Sequence, residues 1–168
     1  MNNFEKQAMA FAAQNQLVDA AASYLDAAEE YFAGDDWISL TRAHVQFSLL
    51  AEMIGQQELA EKSYYQAIVF AEKAAAQDDA HVLLPLNVQR DLSRYLARQN
   101  RISDALFVIR QALEHSTAKY DEIRNRKGAN FSDIMDTLFD LIIFGLEAEE
   151  LEDDFGARER NPAAVVFD

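Results

Sequence analysis

Apolar and polar positions along this chain follow the 3.6-residue period of amphipathic helices, with few interruptions. Only two prolines and five glycines are present, and no run alternates in the manner of a strand except a short one at the C-terminus. The pattern predicts seven helices, over residues 3–13, 17–33, 36–53, 57–76, 79–98, 103–126 and 131–150. The aspartate pairs at 35–36 and 78–79 are expected to cap helix starts. We therefore predict an all-helical fold.

One spacing recurs three times within this pattern. A turn residue is followed, at offsets of five, nine and twelve, by a small, a large and a small residue. The three sets are Asn15, Ala20, Tyr24 and Ala27; Gly55, Ala60, Tyr64 and Ala67; and Asn100, Ala105, Ile109 and Ala112. Gly and Asn tolerate the left-handed conformation that ends a helix, and small residues let the next helix approach closely. The spacing predicts three helix–turn–helix units in which these alanines are buried.

These units resemble the tetratricopeptide repeat (TPR), in a long-helix variant that recurs at 40 and 45 residues instead of about 34. The matching positions of the first helices are Phe4, Gln7, Ala8 and Phe11; His44, Phe47, Ser48 and Ala51; and Gln89, Leu92, Ser93 and Leu96. The resemblance implies a right-handed TPR-like solenoid with repeats at about 2–34, 41–76 and 86–118, within a single domain spanning 1–150. It also implies a concave groove, lined by the first helix of each repeat, that binds a polypeptide.

The seventh predicted helix, 131–150, is apolar on nearly all sides, so it is expected to be buried on more than one of them. Two interpretations stay open. The helix caps the third repeat, or a second apolar face forms a homodimer interface through Leu138, Ile142, Ile143 and Leu146. Residues 151–168 are acidic and poor in apolar side chains, and we predict a disordered tail.

The net charge of −14 argues against general nucleic-acid binding, which requires Lys and Arg to neutralise phosphates. Residues 90–127 nevertheless carry nine basic and five acidic side chains. Within them Arg90, Arg94 and Arg98, called here the arginine row, recur every four residues, with Asn87 one turn earlier. In the resembled family this stripe lines the groove. The corresponding positions are Arg42, Val45 and Leu49 in repeat two and Asn2, Glu5 and Met9 in repeat one.

Two interpretations of the arginine row stay open. The row, helped by Asn87 and Arg42, receives an acidic segment, either from a partner or from this chain's own residues 147–154. Alternatively, it is a solvated face whose arginines pair with Asp91 and other surface acids.

The sequence offers little chemistry for catalysis. It lacks cysteine and the nucleotide-binding and metal-binding motifs, and its three histidines are far apart. His44 falls where the helices of repeat two pack, and we expect a hydrogen-bonded core or groove residue there. We predict a cytoplasmic protein without cofactor, enzymatic activity or membrane segment, which acts as an adaptor, chaperone or regulatory scaffold. The alternative is a domain that senses a peptide or a small anion in a signalling or transcription-regulatory system.

Overall fold

A computed structural model of the protein describes residues 1–78, 81, 83–125, 146, 148–153 and 156. Six helices follow one another in chain order: α1 Asn3–Ala13, α2 Leu17–Ala33, α3 Trp37–Met53, α4 Gln57–Gln77, α5 Leu84–Arg98 and α6 Ile102–Asn125. Residues 148–153 are helical as well, and none of the described residues lies in a strand. The predicted all-helical class is confirmed for this part of the chain.

The chain divides into two compact units, Met1–Val88 and Gln89–Asp168, and the division falls within α5. In the first unit α1 packs against α2, α2 against α3, and α3 against α4. In the second unit the Ser93 hydroxyl on α5 donates a hydrogen bond of 3.0 Å to the Ala105 carbonyl on α6. The prediction of one domain over 1–150 and a tail over 151–168 stays a prediction.

The same turn ends α1, α3 and α5. Each contains a residue with positive φ, which is 60° at Asn15, 78° at Gly55 and 63° at Asn100. In each turn the next residue's N–H donates to the carbonyl five positions earlier: Gln16 to Phe11 (2.9 Å), Gln56 to Ala51 (2.7 Å) and Arg101 to Leu96 (2.9 Å). This bond satisfies a carbonyl that the helix end leaves open. The Asn and Gly positions of the predicted repeat therefore end these helices, as predicted.

The small residues of the recurring spacing lie in the core. Six alanines are fully buried, at positions Ala20, Ala27, Ala60, Ala67, Ala105 and Ala112. The large residues between them are buried too, as are the small residues Ala8, Ser48 and Ser93 of the first helices. The predicted burial of the alanines is confirmed, because only side chains of this size let neighbouring helices approach closely.

The start of α5 differs from the prediction. The helix was expected from residue 79 but begins at Leu84, and Asp78 instead ends α4 by donating its N–H to the Ala74 carbonyl at 3.1 Å. The reason is Pro85, whose ring is compatible with the first turn of a helix but not with its interior. At the other pair, Asp36 caps α3 as expected, since its carboxylate accepts from the N–H of Ser39 at 3.0 Å.

Most of the seventh predicted helix, residues 131–145 and 147, lies outside the described residues. Residues 146 and 148–150 are helical, and the helix continues to residue 153, just past its predicted end. Over the described residues, every helix is too short or too polar to cross a lipid bilayer.

Candidate functional site

The groove positions predicted in the first unit form one outward row on α3. Arg42 and Leu49 are exposed and Val45 is half-buried. Met53, one turn after Leu49, is among the most exposed apolar side chains described, and so is Met9 on α1. Apart from the guanidinium of Arg42, this row of α3 is apolar.

Arg42 is joined to α1 through a buried carboxylate. Its Nε and one Nη donate to the two carboxylate oxygens of Glu5 at 2.9 and 3.2 Å. The hydroxyl of Tyr31 on α2 also donates to Glu5, at 2.5 Å. The Glu5 side chain is 6% exposed, whereas that of Arg42 is 48% exposed. Three helices thus meet at one charged group, and Arg42, a predicted groove residue, already pairs with a carboxylate of the same chain.

The N-terminus closes this network. The backbone N–H of Asn2 donates to the Tyr31 hydroxyl at 2.8 Å, and the Asn2 side chain caps α1 by accepting from the N–H of Glu5 at 2.9 Å. Burial and the hydrogen bond to Glu5 raise the pKa of Tyr31. Burial alone would lower the pKa of Arg42, but the hydrogen bonds and charge of Glu5 outweigh it, so the net shift is upward. The network therefore favours a neutral phenol and a charged guanidinium.

On α5 the arginine row and the packing face are separated as predicted. Arg94 and Arg98 are exposed, while Leu92 and Leu96 are fully buried. Arg90 is half-buried, and so is Asn87, which belongs to the first unit. Each of the three arginines interacts with other groups of the protein. Whether the row also receives a partner stays a prediction.

The acidic segment after the seventh helix is described only in part. The carboxylate of Glu152 accepts from Nε and Nη2 of Arg110 on α6, at 3.1 and 2.6 Å, and Ala148 is buried. Glu152 is therefore paired with α6 within the second unit. Glu147 and Asp154, the ends of the segment predicted to fold back on the arginine row, lie outside the described residues.

The predicted dimer interface is mostly outside the described residues. Leu138, Ile142 and Ile143 fall there, and only Leu146 can be placed. Its side chain is largely exposed in the monomer. A homodimer through this helix therefore stays a prediction.

The first unit also contains a pocket that was not predicted. Its volume is about 340 Å³, and it is lined by side chains from three helices: Leu25, Glu29 and Phe32 on α2, Leu40 and His44 on α3, and Phe70 on α4. Leu40 and His44 project from the side of α3 opposite to Arg42, because positions two residues apart on a helix differ by about 200°. The pocket and the outward row of α3 are therefore different surfaces.

Two lining residues, Phe32 and Phe70, belong to an aromatic cluster that also includes Trp37. Phe32 meets Trp37 and Phe70 edge-on, with ring centroids 5.9 and 6.4 Å apart. Trp37 and Phe70 are stacked at 6.1 Å, and the ammonium of Lys73 lies 4.3 Å from the Trp37 ring centroid. This placement is typical of a cation–π interaction. The cluster is apolar, but its ring faces attract a cation.

His44 is hydrogen-bonded at the floor of the pocket, as expected for a core or groove residue. Its Nδ1 lies 2.8 Å from the Ser63 hydroxyl, which also lies 3.2 Å from the His44 carbonyl oxygen. Both contacts are satisfied together when Nδ1 carries the ring proton and the hydroxyl donates to the carbonyl, which leaves Nε2 as an acceptor. Burial lowers the pKa of His44, so the neutral ring is favoured.

The sequence does contain a signal for this pocket. The repeat assigns Ala20, Tyr24 and Ala27 to helix packing, so apolar residues elsewhere on α2 are surplus to the core. Val18, Leu25 and Phe32 recur every seven residues and are exposed. A second apolar stripe beside a complete packing stripe indicates an additional contact surface.

Comparison with models of protein families, with curated proteins and with solved structures gave no match. The TPR resemblance therefore rests on the repeat positions themselves. In the part of the chain that the structure describes, no group of three or more His, Asp or Glu side chains is placed to hold a metal ion.

Proposed function

We propose that this protein is a TPR-like module that binds another polypeptide. The observation that carries the proposal is the outward apolar row of α3, formed by the half-buried Val45 and the exposed Leu49 and Met53, together with the exposed Met9 of α1. The opposite side of α3 supplies core residues such as Leu40 and Ala51. Since packing within the unit does not need the outward row, its apolar side chains are available to a partner.

The partner of the first unit is a peptide or a helix that covers this row. For the arginine row of the second unit, the ligand is an acidic segment. Exposed guanidiniums such as those of Arg94 and Arg98 can each form two parallel hydrogen bonds with a carboxylate. Arg42 has a different part in the proposal. It neutralises Glu5 and lets the rest of the α3 row present an apolar surface.

The test compares two variants that carry the same substitution on different faces. Leu49→Asp places a charge in the apolar row of α3, and Leu59→Asp places one at a similarly exposed position on α4. Immobilised wild type and both variants are used to capture proteins from a lysate of the cells in which the protein naturally occurs, and the captured proteins are quantified by mass spectrometry. We expect at least one protein to be lost with Leu49→Asp and retained with Leu59→Asp. Identical captured sets with all three would contradict the proposal.

The contribution of the arginine row is tested on the captured protein. Arg94→Glu combined with Arg98→Glu should weaken binding and flatten its dependence on salt, because the electrostatic attraction is removed. Both positions are exposed, so the fold should tolerate the change. Unchanged affinity and salt dependence would restrict the binding surface to the first unit.

A further inference from the structure

The outward side of α2 is more apolar than a solvated helix needs to be. Leu25 and Phe32 are 41% and 56% exposed, and Val18 one heptad earlier is more exposed still. Val18 and Phe32 are fourteen positions apart on α2, a distance of about 21 Å. They lead into the pocket, because Leu25 and Phe32 are two of its lining residues. This row is long enough to lie along about four turns of a partner helix.

The pocket is of a size to take one large side chain. Its volume of about 340 Å³ lies at the lower end of the range of about 300–1,000 Å³ found for ligand sites. The walls are apolar or aromatic at Leu25, Phe32 and Phe70, and Nε2 of His44 makes no hydrogen bond within the described part of the chain. An apolar or aromatic group fits these walls, and an indole or phenol could also donate to the His44 ring.

Charge on the same helix determines which partner suits the pocket. Glu29 lines the pocket. The exposed Asp19 and Asp26 each follow a member of the apolar row, and the exposed Glu30 follows Glu29. A step of one position turns about 100° around the helix, so these acids flank the apolar row along one side. Residues 1–88 carry thirteen acidic and four basic side chains. This excess of acidic side chains favours a basic ligand.

We infer that the pocket beside α2 is a second polypeptide-binding site, whose ligand is a basic amphipathic helix of another protein. The helix lies along Val18, Leu25 and Phe32 and inserts one large apolar or aromatic side chain into the pocket, against Phe32 and Phe70. Its Lys and Arg side chains face Glu29 and the neighbouring acids. The existing placement of the Lys73 ammonium over Trp37 illustrates how a cation is accommodated at this aromatic cluster. This site is independent of the proposed α1 and α3 surface, because the two occupy opposite sides of α3.

The probe is a synthetic Leu- and Lys-rich amphipathic peptide of about 14 residues, matched to the length of the row, with one Trp on its apolar face and a fluorescent label. Two control peptides replace every Lys by Glu or the Trp by Ala. Binding to the full-length protein is measured by fluorescence anisotropy at several salt concentrations. The basic peptide should bind at least about tenfold more tightly than either control peptide.

Paired protein variants locate the site. Leu25→Asp should weaken binding of the basic peptide by at least about tenfold, although it adds a negative charge that would strengthen non-specific attraction. Phe107→Asp, at an exposed apolar position on α6 in the second unit, should leave binding unchanged. Glu29→Lys should weaken binding and reduce its salt dependence more than the same reversal at Glu58, which is exposed near the start of α4. Circular dichroism checks that each variant is folded.

Several results would overturn this inference. These are failure of the basic peptide to bind, equal binding of the acidic peptide, and equal losses from Leu25→Asp and Phe107→Asp. Light scattering adds another, since a wild-type dimer that Leu25→Asp dissociates would identify the occupant as a second copy of this chain. The proposed function is tested independently of the peptide. It requires Leu49→Asp to alter the set of captured proteins, and it fails if that set does not change.

Discussion

Removing the charge of Glu5 tests whether Arg42 belongs to the framework of the first unit or is available to a partner. Glu5→Gln keeps the length of the side chain but places an amide where the carboxylate accepts from Arg42 and Tyr31. The amide NH₂ cannot accept a hydrogen bond, so at least one of the three hydrogen bonds that Arg42 and Tyr31 donate to Glu5 is lost. The surrounding packing is retained, and the loss therefore reports on the charged network.

The magnitude follows from burial. Hydrogen bonds to charged groups contribute about 1.5–3 kcal/mol, and Glu5 is almost completely removed from solvent. Arg42 is 48% exposed, so water replaces part of what it loses and screens the ion pair. We expect Glu5→Gln to lower the free energy of unfolding by about 2 kcal/mol, at the middle of that range. Arg42→Gln should cost about 1–2 kcal/mol, because it leaves the buried carboxylate with fewer donors.

Urea denaturation followed by circular dichroism measures these changes for both single variants and the double variant. Since the two side chains are in contact, the cycle should give a coupling energy of about 1 kcal/mol, and the double variant should cost less than the sum of the single ones. Tyr31→Phe serves as a second probe of the same carboxylate. An unchanged slope of the transition indicates that the variants alter stability and not the unfolded state.

A coupling energy near zero, with Arg42→Gln costing less than about 0.3 kcal/mol, would refute the reasoning. Arg42 would then be a solvated side chain that is available to an acidic segment, as the sequence predicts. A coupling near the expected value would instead place Arg42 in the framework and leave Arg94 and Arg98 as the exposed guanidiniums of the groove positions.

Three further predictions concern packing, pH and assembly. Leu in place of Ala60 or Ala105 should overpack a fully buried helix contact and cost about 1–3 kcal/mol, measured by urea denaturation. Because burial lowers the pKa of His44, the stability that its neutral ring contributes is fully present above about pH 6.5 and is lost as the pH falls through the folded-state pKa. The decline in urea midpoint between neutral and acidic pH should therefore be smaller in His44→Gln, and an identical decline would contradict this. If the seventh helix forms a homodimer, light scattering should report a dimer for wild type and a folded monomer for Ile142→Asp, whereas a monomeric wild type at high concentration would leave only the capping role.

The sequence was sufficient for features governed by local rules. A residue in the left-handed conformation, as at Asn15, Gly55 and Asn100, ends a helix through its own backbone geometry. A packing position that admits only a small side chain is occupied by alanine, at a fixed offset from that turn. The start of α5 was missed for an equally local reason. An aspartate pair favours a helix start at residues 78–79, but Pro85 fits only the first turn of a helix and therefore sets the start more strictly than a cap does.

Pairings between helices could not be obtained in this way. Arg42 and Arg94 look alike in the sequence, since each occupies an outward position on the first helix of a predicted repeat. They differ because Arg42 faces a carboxylate 37 positions earlier in the chain, and that distance depends on how closely α1 and α3 approach. The pocket beside α2 also depends on helix packing that the sequence alone does not give. Leu25 and Phe32 would be read as core residues of any amphipathic helix, and their exposure indicates a binding surface only after the packing stripe of α2 has been filled by Ala20, Tyr24 and Ala27. A repeat motif thus helps to find binding sites by identifying the apolar residues that its own packing does not require.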